Sequence, residues 1–122
     1  MNFPIIVLSY GDFSQNKKLF FYEDNGVSLF PIFTDPNSAT SFRKYMQKIL
    51  NKNGDNRYLV CMGCNDRGYA KDMLEMVCMM IPELQTIIFD PMVPNQRRRF
   101  TISSRMSIQD FIQEISPVSN VE

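Results

Sequence analysis

The hydrophobic positions at the start of the chain fall into short runs separated by polar turns, and these runs predict strands. Residues 5–10 form a continuous apolar run, which is typical of a buried strand. The aromatic-rich residues 18–23 and the apolar residues 27–34 flank Asp24-Asn25-Gly26, a sequence that favours a hairpin turn. These two runs therefore predict an antiparallel hairpin. Pro31 has no N–H to donate to a ladder, so it predicts an edge or a bulge in the third strand.

Helical periodicity begins after Thr34 and has clear start and stop signals. Asp35 is a favoured N-cap residue, and Pro36 occupies the first helical position, where its missing N–H costs nothing. Apolar residues then recur at helical spacing, namely Ala39, Phe42, Met46, Ile49 and Leu50. Asn53-Gly54 supplies a C-cap signal. A basic outer surface is predicted by the polar face, which carries Arg43, Lys44, Lys48 and Lys52 and no acidic residue.

Two further strands with a helix between them are predicted in the second half of the chain. Residues 58–62 form one short apolar run, and residues 86–89 form another that ends at Asp90-Pro91. The helix is indicated by an apolar stripe of Ala70, Met73, Leu74, Val77, Cys78 and Ile81, and Pro82 ends it.

The last predicted elements are a short edge strand over residues 100–103 and a capped helix. Ser107 and Asp110 resemble a capping box, with Asp where Glu or Gln is usual. The apolar face of the helix consists of Ile108, Phe111, Ile112 and Ile115. The polar segment 116–122 is predicted to be a frayed tail.

The element order β-β-β-α-β-α-β-(β)-α predicts an α/β fold of the mixed α+β kind. A hairpin-built first part leads into two strand–helix units, which indicates a mixed sheet of five to six strands covered by three helices. The length of 122 residues is close to the commonest size of one domain, and no linker or internal repeat divides it. We therefore expect residues 1–122 to form a single domain.

Composition and charge exclude several functional classes. Hydrophobic residues make up 44% of the chain, which is incompatible with a disordered protein. The 13 basic and 13 acidic residues cancel, so the whole chain has no net attraction to nucleic acid or to an anionic membrane. No segment approaches the roughly 18 apolar residues that a membrane span needs. The apolar start of the chain lacks a basic region and a cleavage site, so it predicts a first strand instead of a signal peptide.

The chain contains no histidine and three cysteines, Cys61, Cys64 and Cys78. The absence of histidine excludes Ser-His-Asp and Cys-His mechanisms. An odd number of cysteines beside an ample core is typical of a reducing compartment, where free thiols behave as small apolar groups. We therefore expect a cytoplasmic protein.

Cys61-Met62-Gly63-Cys64 is a C-x-x-C sequence at a predicted strand-to-helix junction, and it is the strongest chemical candidate. A thiol near a helix N-terminus is activated for disulfide exchange, which makes a redox or redox-sensing role the first alternative function. Against it, the helical pattern becomes clear only near Tyr69, and Cys61 lies on an apolar strand where we expect it to be buried. Zinc needs four ligands and only Cys78 remains, so no metal and no cofactor is predicted.

Two surface features suggest partners. Arg97, Arg98 and Arg99 form the densest charge cluster, and nucleic-acid binding through them is the second alternative function. The neutral chain carries no recognisable nucleic-acid motif, so we regard that role as less favoured. Met76, Met79 and Met80 extend beyond the apolar stripe of the second helix and predict an adaptable surface for a protein partner. A homo-oligomer formed through this helix is a further possibility.

One segment resembles a known family. The residues Phe30-Pro31-Ile32-Phe33-Thr34-Asp35-Pro36 resemble the P-x-F-T-(D/S) segment of SseB N-terminal-domain proteins and their small bacterial relatives. Those proteins continue into a strand–helix–strand unit that ends in an Asn/Asp-Pro step, here Asp90-Pro91. The resemblance spans residues 18–115, and this chain departs from it in the C-x-x-C and the Met-rich second helix. It implies an α/β accessory or interaction domain and supplies no catalytic residues.

The sequence therefore predicts a non-catalytic interaction module that acts by binding another protein. Three observations support this prediction: the lack of histidine, the lack of a convergent polar constellation, and the surplus of Phe and Met. The partner residues it indicates are Arg97–Arg99 and the exposed methionines, and the alternative redox residues are Cys61 and Cys64.

Overall fold

A computed structural model describes residues 4–11, 19–93 and 104–116. The strands are β1 (Ile5–Tyr10), β2 (Tyr22–Asp24), β3 (Val27–Phe33), β4 (Leu59–Cys64), β5 (Thr86–Phe89) and β6 (Arg105–Ser107), and the helices are α1 (Pro36–Lys52), α2 (Arg67–Met80) and α3 (Ile108–Ile115). This order confirms the predicted mixed α/β class. Within these residues, no helix is both long enough and apolar enough to cross a membrane.

The six strands form one mixed sheet in the order β4-β1-β3-β5-β6, with β2 paired to β3 outside this path. β1 runs antiparallel to both β3 and β4, and β5 runs antiparallel to β6. β3 and β5 are parallel, with Leu29 opposite Thr86 and Ile32 opposite Phe89. A parallel pair needs a long crossover, and here the crossover contains α1, β4 and α2.

The sheet is covered on both faces, which explains why β1 and β3 are continuous apolar runs. Successive side chains of a strand point to opposite faces. Val7 and Ile32 therefore pack in the larger apolar cluster with α2 and α3, whereas Leu8 and Phe33 pack in a second cluster with α1. Each fully buried side chain of this size contributes about 1.5–3 kcal/mol to folding.

The predicted boundaries of α1 and α3 are confirmed by their caps, whereas α2 begins at Arg67, before the point near Tyr69 where the sequence pattern becomes clear. The carboxylate of Asp35 accepts from the N–H of Asn37, and Pro36 is the first helical residue of α1. α1 ends at Lys52, and Gly54 follows with a φ of 81°. Ser107 caps α3 by accepting from the N–H of Asp110. These local signals act through neighbouring backbone groups, so they are readable without the tertiary structure.

The sequence predicts an edge or a bulge at Pro31, and the structure places this residue in β3, an internal strand of the sheet. It pairs with β5 on one side and with β1 and then β2 on the other. The β1 register covers Ile32 and Phe33, and the β2 register ends at Leu29, so Pro31 lies where the partner on that side changes. Beyond Val7, β1 contacts the segment that precedes β2 instead of β3, since the N–H of Phe20 donates to the carbonyl of Leu8 at 2.9 Å.

Three strands differ clearly from their predicted ranges. β4 continues to Cys64, two residues past its predicted end at residue 62. β2 is confined to Tyr22–Asp24, and Leu19 forms only an isolated bridge with Ser9. The final strand is β6 at Arg105–Ser107, whereas the predicted range 100–103 lies outside the described residues. The predicted tail also lies outside them, apart from Ser116, which caps the end of α3.

Asp90 fastens the end of β5 to the start of α1. Its Oδ1 accepts from the N–H of Thr34 at 2.9 Å, and its Oδ2 accepts from the hydroxyl of Thr34 at 2.6 Å. The N–H of Asp90 donates to the carbonyl of Ile32 at 2.9 Å. Asp90 adopts a φ of 46°, in the left-handed region that Asp tolerates better than most residues. The carboxylate thus closes the junction between two parallel strands and the helix that follows one of them.

Replacing Asp90 with Ala should lower the free energy of unfolding by about 1–3 kcal/mol, because the carboxylate loses three hydrogen bonds, two from Thr34 and one from the N–H of Asp35, at a position with positive φ. Chemical denaturation followed by circular dichroism measures the change. The exposed Glu83 on the loop before β5 provides a control, and Glu83→Ala should leave the midpoint unchanged. Equal stability of the two variants would contradict the fastening role.

Candidate functional site

The structure places both cysteines of the C-x-x-C sequence inside β4, in an edge strand. Cys64 lies opposite Ile5 of β1 and is buried, whereas Cys61 lies opposite Leu8 and is exposed. The predicted burial of Cys61 is therefore wrong. An edge strand has no neighbour on one side, and the face of β4 that carries Cys61 extends past the cluster under α1.

The two thiols point to opposite faces of the sheet, because they lie three positions apart in an extended strand. Cys64 packs in the cluster with α2 and α3, and Cys61 lies on the α1 side. Three strand residues span about 10 Å, which exceeds the roughly 7 Å limit between the Cα atoms of a disulfide. A disulfide between Cys61 and Cys64 therefore requires β4 to leave the sheet.

Neither thiol is activated by its surroundings. Partial burial raises the pKa of Cys61 above the ordinary value, and Arg43 opposes that rise. Burial also raises the pKa of Cys64, whose Sγ donates to the carbonyl of Asp66 at 3.6 Å. Cys78 is also a free thiol, and burial raises its pKa too. These shifts favour the neutral thiol over the nucleophilic thiolate.

The structure describes the predicted basic surface of α1 but not the predicted arginine cluster. Arg97, Arg98 and Arg99 lie outside the described residues. The basic surface predicted for α1 is present, since Lys44, Lys48 and Lys52 are exposed at intervals of four residues. Within the described ranges, no group of three or more acidic or cysteine side chains has the arrangement needed to hold a metal ion.

Three methionines on α2 are prominently exposed. Met76, Met79 and Met80 have 51%, 82% and 73% of their side chains accessible. They lie three and four residues apart, so they share one side of the helix. Met73 and Val77, on the adjoining side of the helix, are buried in the core. α2 therefore has an apolar side toward the sheet and a second apolar side toward solvent.

A groove of about 390 Å³ lies beside these methionines. Its walls combine the end of α2 with the end of β1, the strand residue Phe30 and the segment before β2. The lining residues are Tyr10, Leu19, Phe21, Phe30, Arg57, Met76, Val77, Met80, Ile81 and Leu84. Most of this lining is aliphatic, aromatic or thioether, so the groove suits an apolar ligand.

The polar end of the groove is already satisfied internally. The guanidinium of Arg57 lies 4.0 Å from the ring centroid of Tyr10 and donates to Oδ2 of Asp55 at 2.8 Å. These hydrogen bonds from Arg57 lower the pKa of Asp55 to about 2. Burial raises the pKa of Tyr10, so its hydroxyl stays neutral at physiological pH. The described lining therefore presents no unpaired charge to a ligand.

Sequence reasoning identified the methionines of this site but missed the groove itself. Tyr10, Phe21 and Arg57 come from three separate segments, and only the fold brings them to the end of α2. Their residue types gave no signal, because each one fits an ordinary strand or loop. The one usable indication was the surplus of apolar residues on α2.

A scan against models of known protein families gives no match, and a search of curated proteins gives none either. The functional argument therefore rests on the geometry of the chain.

Cys61 should react with a disulfide reagent only slowly at neutral pH, with a rate that rises as pH increases through a pKa above the ordinary thiol value. Cys64 should react only after unfolding, because it is buried. Stopped-flow measurements between pH 6 and 10 test both expectations, and Cys61→Ser identifies the signal from Cys61. A rate plateau already reached below pH 7 would instead support the redox hypothesis.

Proposed function

We propose that this chain is a non-catalytic interaction module that binds an apolar segment of another protein at the groove beside Met76 and Met80. The observation that carries the proposal is an apolar groove that two exposed methionines, Met76 and Met80, line on one wall, with the exposed Met79 next to them on the same helix. Methionine side chains are flexible and polarisable, so they adapt to partners of different shape. The interaction role agrees with what the resemblance to SseB N-terminal-domain proteins implies.

The chemistry of the lining defines the partner. Because Arg57 is already paired with Asp55, an acidic side chain gains little from entering the groove. A strongly polar segment would lose hydration without gaining hydrogen bonds. An amphipathic helix or an extended segment that inserts two or three apolar side chains fits this surface best.

The alternatives have less support. A thiol–disulfide role needs Cys61 and Cys64 close together with an activated thiolate, whereas they lie on opposite faces of β4 with raised pKa values. Nucleic-acid binding through Arg97–Arg99 is supported only by the charge cluster in the sequence, because these residues lie outside the described ones. The three free cysteines are consistent with a chain that functions in the reducing cytoplasm.

Met80→Lys should weaken partner binding by at least about tenfold, because burying a lysine in place of methionine forfeits about 1.5–3 kcal/mol. To capture the partner, a photo-crosslinking amino acid replaces Met79, the most exposed methionine, and native lysate is irradiated. Mass spectrometry then identifies the crosslinked protein. Its affinity for the wild-type and variant chains is measured with purified components.

Tyr69→Lys is the matched control. Tyr69 is also an exposed large side chain on α2, 55% accessible, but it does not line the groove. The control should retain wild-type affinity. Equal weakening by both substitutions, or crosslinking no greater than in an unirradiated sample, would contradict the proposed site.

A further inference from the structure

The outer edge of β4 carries backbone groups that the rest of the described chain does not use. β4 is a terminal strand of the sheet, and it pairs with β1 over six residues from Leu59 to Cys64. It contains no charged residue and no proline, the features that commonly protect an edge strand. β6, at the other end of the sheet, has only three residues and carries Arg105, which pairs with Asp24.

Hydrogen bonds identify which groups of β4 face outward. In an antiparallel pair, backbone groups alternate between the partner strand and the opposite side. The N–H of Gly11 donates to the carbonyl of Tyr58 at 2.7 Å, so the even-numbered residues face β1. Gln47 binds the carbonyl of Arg57 and the N–H of Leu59 instead, at 3.0 and 2.6 Å. The odd-numbered residues therefore face outward.

α1 covers this edge at one end only. Besides Gln47, the guanidinium of Arg43 donates to the carbonyl of Leu59 at 3.3 Å. The next outward residues are Cys61 and Gly63, for which the structure shows no hydrogen-bond partner among its described residues. After Cys64 the chain leaves the sheet to begin α2 at Arg67. The free window is thus two residues wide and centred on Met62.

We propose that this window is a self-association site, through which two copies of the chain pair their β4 strands antiparallel about a two-fold axis at Met62. This inference goes beyond the proposed partner groove and uses a different face of the molecule. In this register Cys61 of each copy lies opposite Gly63 of the other, and each pair exchanges two backbone hydrogen bonds. The two sheets then join into one continuous sheet.

The window matches a second copy of itself in three respects. It is symmetric about Met62, so pairing about a two-fold axis gives hydrogen-bond partners to the backbone groups of all four outward residues, Cys61 and Gly63 of each strand. The groups bound by Gln47 and Arg43 stay bound, because the partner chain leaves the sheet before reaching them. Gly63 offers room for the exposed Cys61 of the other copy, since no atom lies within 4 Å of a Cβ placed at Gly63.

Sedimentation velocity over a wide concentration range tests the association. The wild-type chain should show a concentration-dependent monomer–dimer equilibrium. Gly63→Pro removes only an outward N–H and leaves the β1 ladder intact, a placement that edge strands tolerate. It should raise the dissociation constant at least about tenfold, because two intermolecular hydrogen bonds are lost. Gly63→Ala keeps the N–H and should leave the dissociation constant near that of the wild type.

Oxidative crosslinking tests the register. In a chain with Cys61→Ser, Cys64→Ala and Cys78→Ser, Met62→Cys should give a covalent dimer, because directly opposed residues of this type lie about 4.5 Å apart. Cys61 alone should crosslink poorly, since the two copies of Cys61 are about 8 Å apart in this register. Thermal melts of every variant confirm that it folds.

A monomer at all concentrations would overturn the proposal, as would efficient crosslinking of Cys61 in place of position 62. A dimer broken by Met80→Lys but not by Gly63→Pro would also overturn it, because it would place self-association at the α2 groove. Failure of the β4 site leaves the groove experiment unaffected, since the two use different variants and readouts.

Discussion

The fold depends on β3, whose side chains are buried on both faces of the sheet and whose backbone is paired along both of its own edges. Its side chains alternate between two apolar clusters, and its backbone pairs with β5 on one side and with β1 and β2 on the other. Among the described strands, β3 contacts the largest number of other elements, namely β1, β2, β5 and α1. Asp90 completes this arrangement by binding the backbone and hydroxyl of Thr34 where β3 ends. The carboxylate therefore has a structural function at an edge where α/β proteins often place binding sites.

The alternation of side chains along β4 determines where the two thiols of the C-x-x-C sequence lie. Had residues 61–64 formed a turn at a helix start, the two thiols would have shared one environment. Because all four residues lie in β4, the thiols are separated by the sheet, one in the core and one exposed. The same alternation directs the backbone of Cys61 and Gly63 outward. The alternation along β4 thus argues against a disulfide between the two thiols and sets which backbone groups face the outer edge.

The two proposed interaction surfaces differ in their physical basis. The groove beside α2 offers apolar area and flexible side chains, so it favours a partner through desolvation and adaptable packing. The edge of β4 offers directional backbone groups, so it favours a strand in a fixed register.

The sequence by itself determined the fold class, the element order and the ends of α1 and α3. These follow from periodicity and from caps that act over a few neighbouring residues, such as Asp35 with Asn37 and Ser107 with Asp110. It also indicated the methionine surface of α2, because the helix carries more apolar residues than one buried side can use. Only the tertiary structure decided which strands are internal and which are edges. An apolar run looks the same in either place, and for that reason the predicted burial of Cys61 is wrong. Likewise, only the fold could assemble the groove, because its walls come from segments that are distant in the chain and meet through sheet pairing.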